Sequence, residues 1–167
     1  MNDARFPGLG LQVLTAAGWY AGRDIGPRAQ DLLARTVAAA RSEGYELEAF
    51  PEAVAAVHEF GSLTVTRETT GIEFRGHGFR IDPSEVAAGF ATFADLTRII
   101  GVPAFPLGSD LDEYGTLALG ADGRVYLLHH TTGFHVVGET LDNALTAWIE
   151  FTDPFPSIGE LFDEPEW

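Results

Sequence analysis

The chain has 167 residues, and its 10 basic side chains face 25 acidic ones for a formal net charge of −15. It contains no cysteine, which excludes structural disulfides, thiolate zinc sites and thiol catalysis; it contains no lysine, and its excess of acids over arginines disfavours direct binding to nucleic-acid phosphate. This length suits a single domain, which buries roughly 70% of its unfolded surface and needs no metal or disulfide staple.

In chain order, the first residues, Met1 to Leu14, show no basic stretch ahead of an apolar run, so no secretory signal is expected. No apolar run approaches the ~18 residues of a membrane span. Leu9 to Ala17 reads as a short helix stopped by Gly18, with Trp19 anchoring its end on the core. Gly26-Pro27 opens a second helix to about Glu43, with a stripe of Ala29, Leu33, Val37 and Ala40. Phe50 to Val65 is the central unit. Pro51 starts a helix, Val54, Val57 and Phe60 mark its apolar stripe, Gly61 supplies a left-handed stop, and Leu63 to Val65 enters a sheet.

The spacing next predicts a hairpin of Thr64 to Arg67 with Ile72 to Arg75, closed over Glu68 to Gly71. Asp82-Pro83-Ser84-Glu85 has the cap, proline and acid of a helix start, for a helix carrying Phe90, Phe93, Leu96, Ile99 and Ile100, with Gly89 as a possible interruption. Pro103 and Pro106 bracket an extended Ala104-Phe105. Three strands follow, Gly115 to Leu119, Arg124 to His129 and Phe134 to Val137, with Asp122-Gly123 as a tight turn. Leu141, Ala144, Leu145, Trp148 and Ile149 give the strongest helical stripe of the chain. Residues 151–167 read as an acidic, proline-containing tail after a domain of residues 1–150, docked through Phe155, Leu161, Phe162 and Trp167.

Chemistry is sparse. No serine lies in a Gly-x-Ser-x-Gly elbow, and Gly8-Leu9-Gly10 and Gly76-His77-Gly78 lack the third glycine of a dinucleotide loop. His58 and His77 stand isolated in the sequence. A two-residue loop at Thr132-Gly133 would set His130 opposite His135, close enough to share a metal, but no third ligand is fixed by spacing. Asp110, Asp112 and Glu113 lack the regular ligand spacing of a calcium loop. With Tyr114 they form a candidate recognition patch, because an aromatic amid charge suits an interface. No basic residue follows Arg124, so Glu160, Asp163, Glu164, Glu166 and Trp167 are candidates of the same kind in the tail.

Four stretches taken together carry a family resemblance: LTAAGWYAGRDI (Leu14 to Ile25), FPEAVAAVHEFGSLTV (Phe50 to Val65), IDPSEVAAGFATFADLTRIIG (Ile81 to Gly101) and the run from Pro106 to Leu145 with GSDLDEYGTLALGADGRVYLLHH and GFHVVGETLDNAL. In order and spacing they resemble the SUKH superfamily, named after the Smi1/Knr4 regulators, and most of all its SUKH-3 immunity-protein branch. The family often has two adjacent glycines where Gly61-Ser62 stand, and the tail from Phe151 lies outside the resemblance. The resemblance implies a single α+β domain, a mostly antiparallel mixed sheet with helices packed around it. It also implies a cytoplasmic, bacterial, non-enzymatic immunity protein with no cofactor, whose partner is a cognate toxin domain. Nucleases and nucleic-acid deaminases are among the toxins such families meet, and an acidic surface fits a basic partner of that kind. Two other readings stay open: a scaffold or regulatory binding module of the same superfamily, and a small metal-dependent enzyme using His130 and His135.

Overall fold

The computed structural model describes residues 5–6, 8–112, 115–151 and 155–160. Its centre is a six-stranded antiparallel sheet whose strands are neighbours in the order in which they occur in the chain. These are β1 (Thr64–Val65), β2 (Phe79–Arg80), β3 (Ala104–Asp110), β4 (Gly115–Gly120), β5 (Val125–His129) and β6 (Gly133–Gly138). Helices α1 (Leu9–Ala17), α2 (Pro27–Ser42), α3 (Pro51–Phe60), α4 (Arg67–Thr70), α5 (Phe90–Ile100) and α6 (Leu141–Glu150) surround it. The architecture is α+β, as expected.

Alternation along the strands divides the interior between the two faces of the sheet. Leu117, Leu119, Val125, Leu127 and Val137 point to the larger core, with Val13 and Leu14 of α1, Leu32 of α2, Val57 and Phe60 of α3, and Leu145, Trp148 and Ile149 of α6. Ala118, Tyr126, Leu128 and Val136 point the other way, to a smaller core closed by Phe93, Leu96 and Ile100 of α5 and by Ile158. Trp19 and Trp148 are both buried, as their places in the sequence suggest. Pro106 lies inside β3, where a proline removes a ladder donor. The register of β3 on β4 shifts between Pro106 and Gly108, a bulge that accommodates it.

Three expectations are corrected. The stop of α3 does not use a left-handed Gly61: its φ is −55°, and Ser62 takes the positive φ of 66° instead. Gly61 is needed for closeness, since a Cβ there would overlap the Val57 carbonyl oxygen. The hairpin of 64–67 with 72–75 does not form. Thr66 caps a helical turn, its Oγ1 accepting from Thr69 N–H at 3.1 Å, and β1 pairs with β2 across an intervening loop. The helix expected from Asp82 begins only at Phe90. Asp82 Oδ1 accepts from the Ser84 N–H (2.9 Å) and hydroxyl (2.6 Å), closing a local turn. Ala88 N–H then donates to Thr116 Oγ1 on β4 at 3.1 Å, holding the chain against the sheet before Gly89 caps α5.

Beyond α6 the chain returns to the sheet. Val136 N–H donates to the Pro156 carbonyl at 3.0 Å, His135 and Ser157 form an antiparallel bridge, and Ile158 is fully buried. Phe155 docks as expected; Leu161, Phe162 and Trp167 lie outside the described residues. No described helix is long and apolar enough to cross a membrane.

Candidate functional site

Where the end of α6 crosses the β5–β6 hairpin there is a cleft of about 290 Å³. Trp148, Phe151, Phe155 and Leu127 form its apolar walls, and His77, Asp110, His129, Thr132 and His135 its polar ones. The walls are ordered by stacking: the Trp148 and Phe155 rings lie 5.1 Å apart and nearly parallel, and His77 packs 5.7 Å from Trp148 and 5.4 Å from Phe151.

His77 is placed by its neighbours in sequence. Gly76 N–H donates to the Ile149 carbonyl at 3.0 Å, and a Cβ at Gly76 would overlap the Trp148 carbonyl oxygen. This strand-breaking Gly76-His77-Gly78 is therefore a close crossing over α6. On its other side, Gly78 accepts from Leu111 N–H at 2.8 Å and donates its own N–H to Asp112 Oδ2 at 2.8 Å. Asp110, at the end of β3, stands opposite Phe79, and its Oδ1 accepts from Asp112 N–H at 2.9 Å. One imidazole and two carboxylates thus meet, with Asp112 Oδ2 3.9 Å from His77 Nδ1. In the sequence His77 stands isolated, because it lies far from Asp110 and the β2–β3 pairing, with the Gly78 hydrogen bonds beside it, brings them together.

Of the residues singled out in the sequence, Asp110 is only 4% exposed, so its carboxylate is not a rim charge. Asp112 is exposed, and Leu111 between them is one of the two described large apolar side chains that face solvent. Glu113, Tyr114, Asp163, Glu164, Glu166 and Trp167 lie outside the described residues, and Glu160 is described only as the end of a single 3₁₀ turn, Ile158–Glu160.

The facing pair of His130 and His135 does not form. The loop has three residues, since His129 pairs with Gly133, and His135 stands opposite Leu127. The left-handed Gly133 (φ 85°) makes that longer loop possible. His129 Nδ1 accepts from the N–H groups of Thr131 and Thr132, each at 3.3 Å, and the His130 ring stacks on it. His135 Nδ1 donates to the Phe155 carbonyl at 3.2 Å, which leaves Nε2 to the Thr132 hydroxyl at 2.8 Å. His129 and His135 hold the loop and the returning segment in place, and the metal-dependent reading lacks the facing pair of His130 and His135 on which it rested.

A second charged cluster stands near α1. Arg5 donates to Glu59 at 2.7 Å through Nη1 and to Asp142 at 2.9 Å through Nη2 and 3.0 Å through Nε. Trp19 Nε1 also donates to Glu59, at 3.3 Å. The hydrogen bonds to Asp142 and then Glu59 push the Arg5 guanidinium above its already high range. Nearby, Arg23 donates to the carbonyls of Glu59 and Gly61, and burial lowers its proton affinity.

A model of the SUKH-3 immunity protein family matches residues 6–150. No match was found among curated proteins or among solved structures.

Proposed function

The chain belongs to the SUKH-3 immunity protein family, and on that premise we propose that it binds a cognate toxin domain in the bacterial cytoplasm and neutralises it by occupying its working surface. The observation that carries this reading is the family match, which spans every described element up to α6. The net charge of −15 supports a basic partner, such as a nuclease or nucleic-acid deaminase whose cleft normally receives phosphate. In this reading Asp112, Glu113 and Tyr114, with Leu111 beside them, form one contact segment. Glu160, Asp163, Glu164, Glu166 and Trp167 form the other. Asp110 acts from within, holding the Asp112 backbone N–H and so the shape of the segment. Inhibition needs no chemistry from this chain, only complementarity.

Co-expression with the toxin-domain product of a neighbouring gene tests the proposal. Restored growth together with a co-purifying complex is the expected result. A complex without rescue would favour a regulatory binding module, and neither rescue nor complex would overturn the reading.

A further inference from the structure

The meeting of His77 with Asp110 and Asp112 has a chemistry of its own. Each contributes one donor atom, and the three atoms lie within 4.8 Å of one another. A tetrahedral shell with bonds of about 2.1 Å sets its donors about 3.4 Å apart. No pair therefore has to close by more than about 1.4 Å to reach a ligating arrangement, a distance that side-chain rotation covers. We propose that His77, Asp110 and Asp112 bind a divalent transition-metal cation of the zinc class.

The donor set selects that class. An imidazole beside carboxylates suits zinc and its neighbours, whereas calcium takes a shell of six to eight oxygens. The donors also differ in freedom. His77 is fixed by the Gly76 crossing over α6 and by the rings of Trp148 and Phe151. Asp110 is buried at the end of β3, and Asp112 is held by Gly78 N–H. Two of the three ligands are thus set by the fold before any ion arrives, and Asp112 is the more exposed one that closes on it. With neutral imidazole the two carboxylates carry a formal charge of −2, which a divalent cation neutralises in a partly buried place. The ion would sit between two clefts, one lined by His77 and Asp110 and a second, of about 380 Å³, lined by Gly76, Gly78 and Asp112. Three protein ligands leave at least one position of a tetrahedral shell open. The proposal does not depend on the toxin reading.

The test uses the full chain, titrated with zinc chloride by calorimetry and with cobalt(II) chloride by visible absorption. The expected result is one saturable site per chain with a tetrahedral cobalt spectrum. His77→Ala and Asp112→Ala should each weaken it by at least about tenfold. His130→Ala, outside the cluster, should leave it unchanged, and excess calcium should not displace zinc. Circular dichroism of each variant confirms that it is folded. Absence of saturable binding, or equal binding in His77→Ala and Asp112→Ala, would overturn the site; displacement by calcium would overturn the assigned class.

Discussion

Two groups of acids in this chain are held in opposite ways. Glu59 and Asp142 share Arg5, a permanent cation, at 2.7 and 2.9 Å, and so tie the segment before α1 to the end of α3 and the start of α6. Asp110 and Asp112 meet backbone N–H groups and stand beside the imidazole of His77. In the first arrangement both carboxylates are engaged by one guanidinium within the fold. The second places Asp112 at the surface, within reach of a cation from outside, a metal or a basic side chain, with Asp110 buried behind it. An overall charge of −15 conceals this division. Helix α6 belongs to both groups, with Asp142 in its first turn and Trp148 near its end against the cleft.

The largest expected effect breaks both regions at once. Trp148→Ala removes a fully packed ring from the larger core and the partner of Phe155, and should cost ~3–5 kcal/mol in urea unfolding. A loss below about 1 kcal/mol would mean that α6 is not docked as described. Arg5→Ala then separates the regions. It strands Glu59 and Asp142, but both are partly solvated, so the loss should be about 1–2 kcal/mol, with the cleft intact. Asp112→Asn is the matching change on the other side. Its amide oxygen can still accept from Gly78 N–H, so stability should stay within about 0.5 kcal/mol of wild type. Equal losses in Arg5→Ala and Asp112→Asn would erase the distinction.

Ser62→Gly sharpens the boundary between the regions, since Ser62 follows α3 and its N–H donates to Ile81 at 2.8 Å. Relieving its left-handed backbone should stabilise the protein by about 1 kcal/mol. The smallest expected effect is on pH dependence. Hydrogen bonds from His58 and then from Gly26 N–H hold the Asp24 carboxyl below its ordinary 3.8. Its contribution is therefore complete above that value and fades as pH falls below it. Asp24→Asn should remove that contribution above this value and reduce the steepness of acid unfolding below it; unchanged steepness there would contradict the assignment.

Much of the fold is legible in local pattern. α1, α2, α3, α6 and the strands from Gly115 onward have periodic stripes or turn pairs that local energetics decide. What escapes is what distant residues decide. β1 and β2 are two residues each and exist through long-range pairing, while Thr66 has a stronger local alternative as a helix cap. The delayed start of α5 depends on Thr116, far along the chain. The site is less legible still. The sequence marks Asp110 and Asp112 as acidic, yet the burial of one and the exposure of the other, and the approach of His77, follow from a glycine crossing over α6. Ser62 shows the same limit: its position beside Gly61 is visible, but that Ser62 turns left-handed while Gly61 is needed for its close approach to the Val57 carbonyl is not.

The central claim is that Asp112 and Glu113 serve association while the Arg5 cluster serves the fold. Stopped-flow association with the cognate toxin domain, over a salt series, tests it most directly in wild type, in Asp112→Asn/Glu113→Gln and in Arg5→Ala. With screening over about 8 Å at physiological salt, the wild-type on-rate should fall as salt rises. The double variant should associate more slowly and with a flatter salt dependence, its off-rate changing less. Arg5→Ala, while folded, should keep the wild-type on-rate. An on-rate insensitive to salt and unchanged in the double variant would contradict the claim.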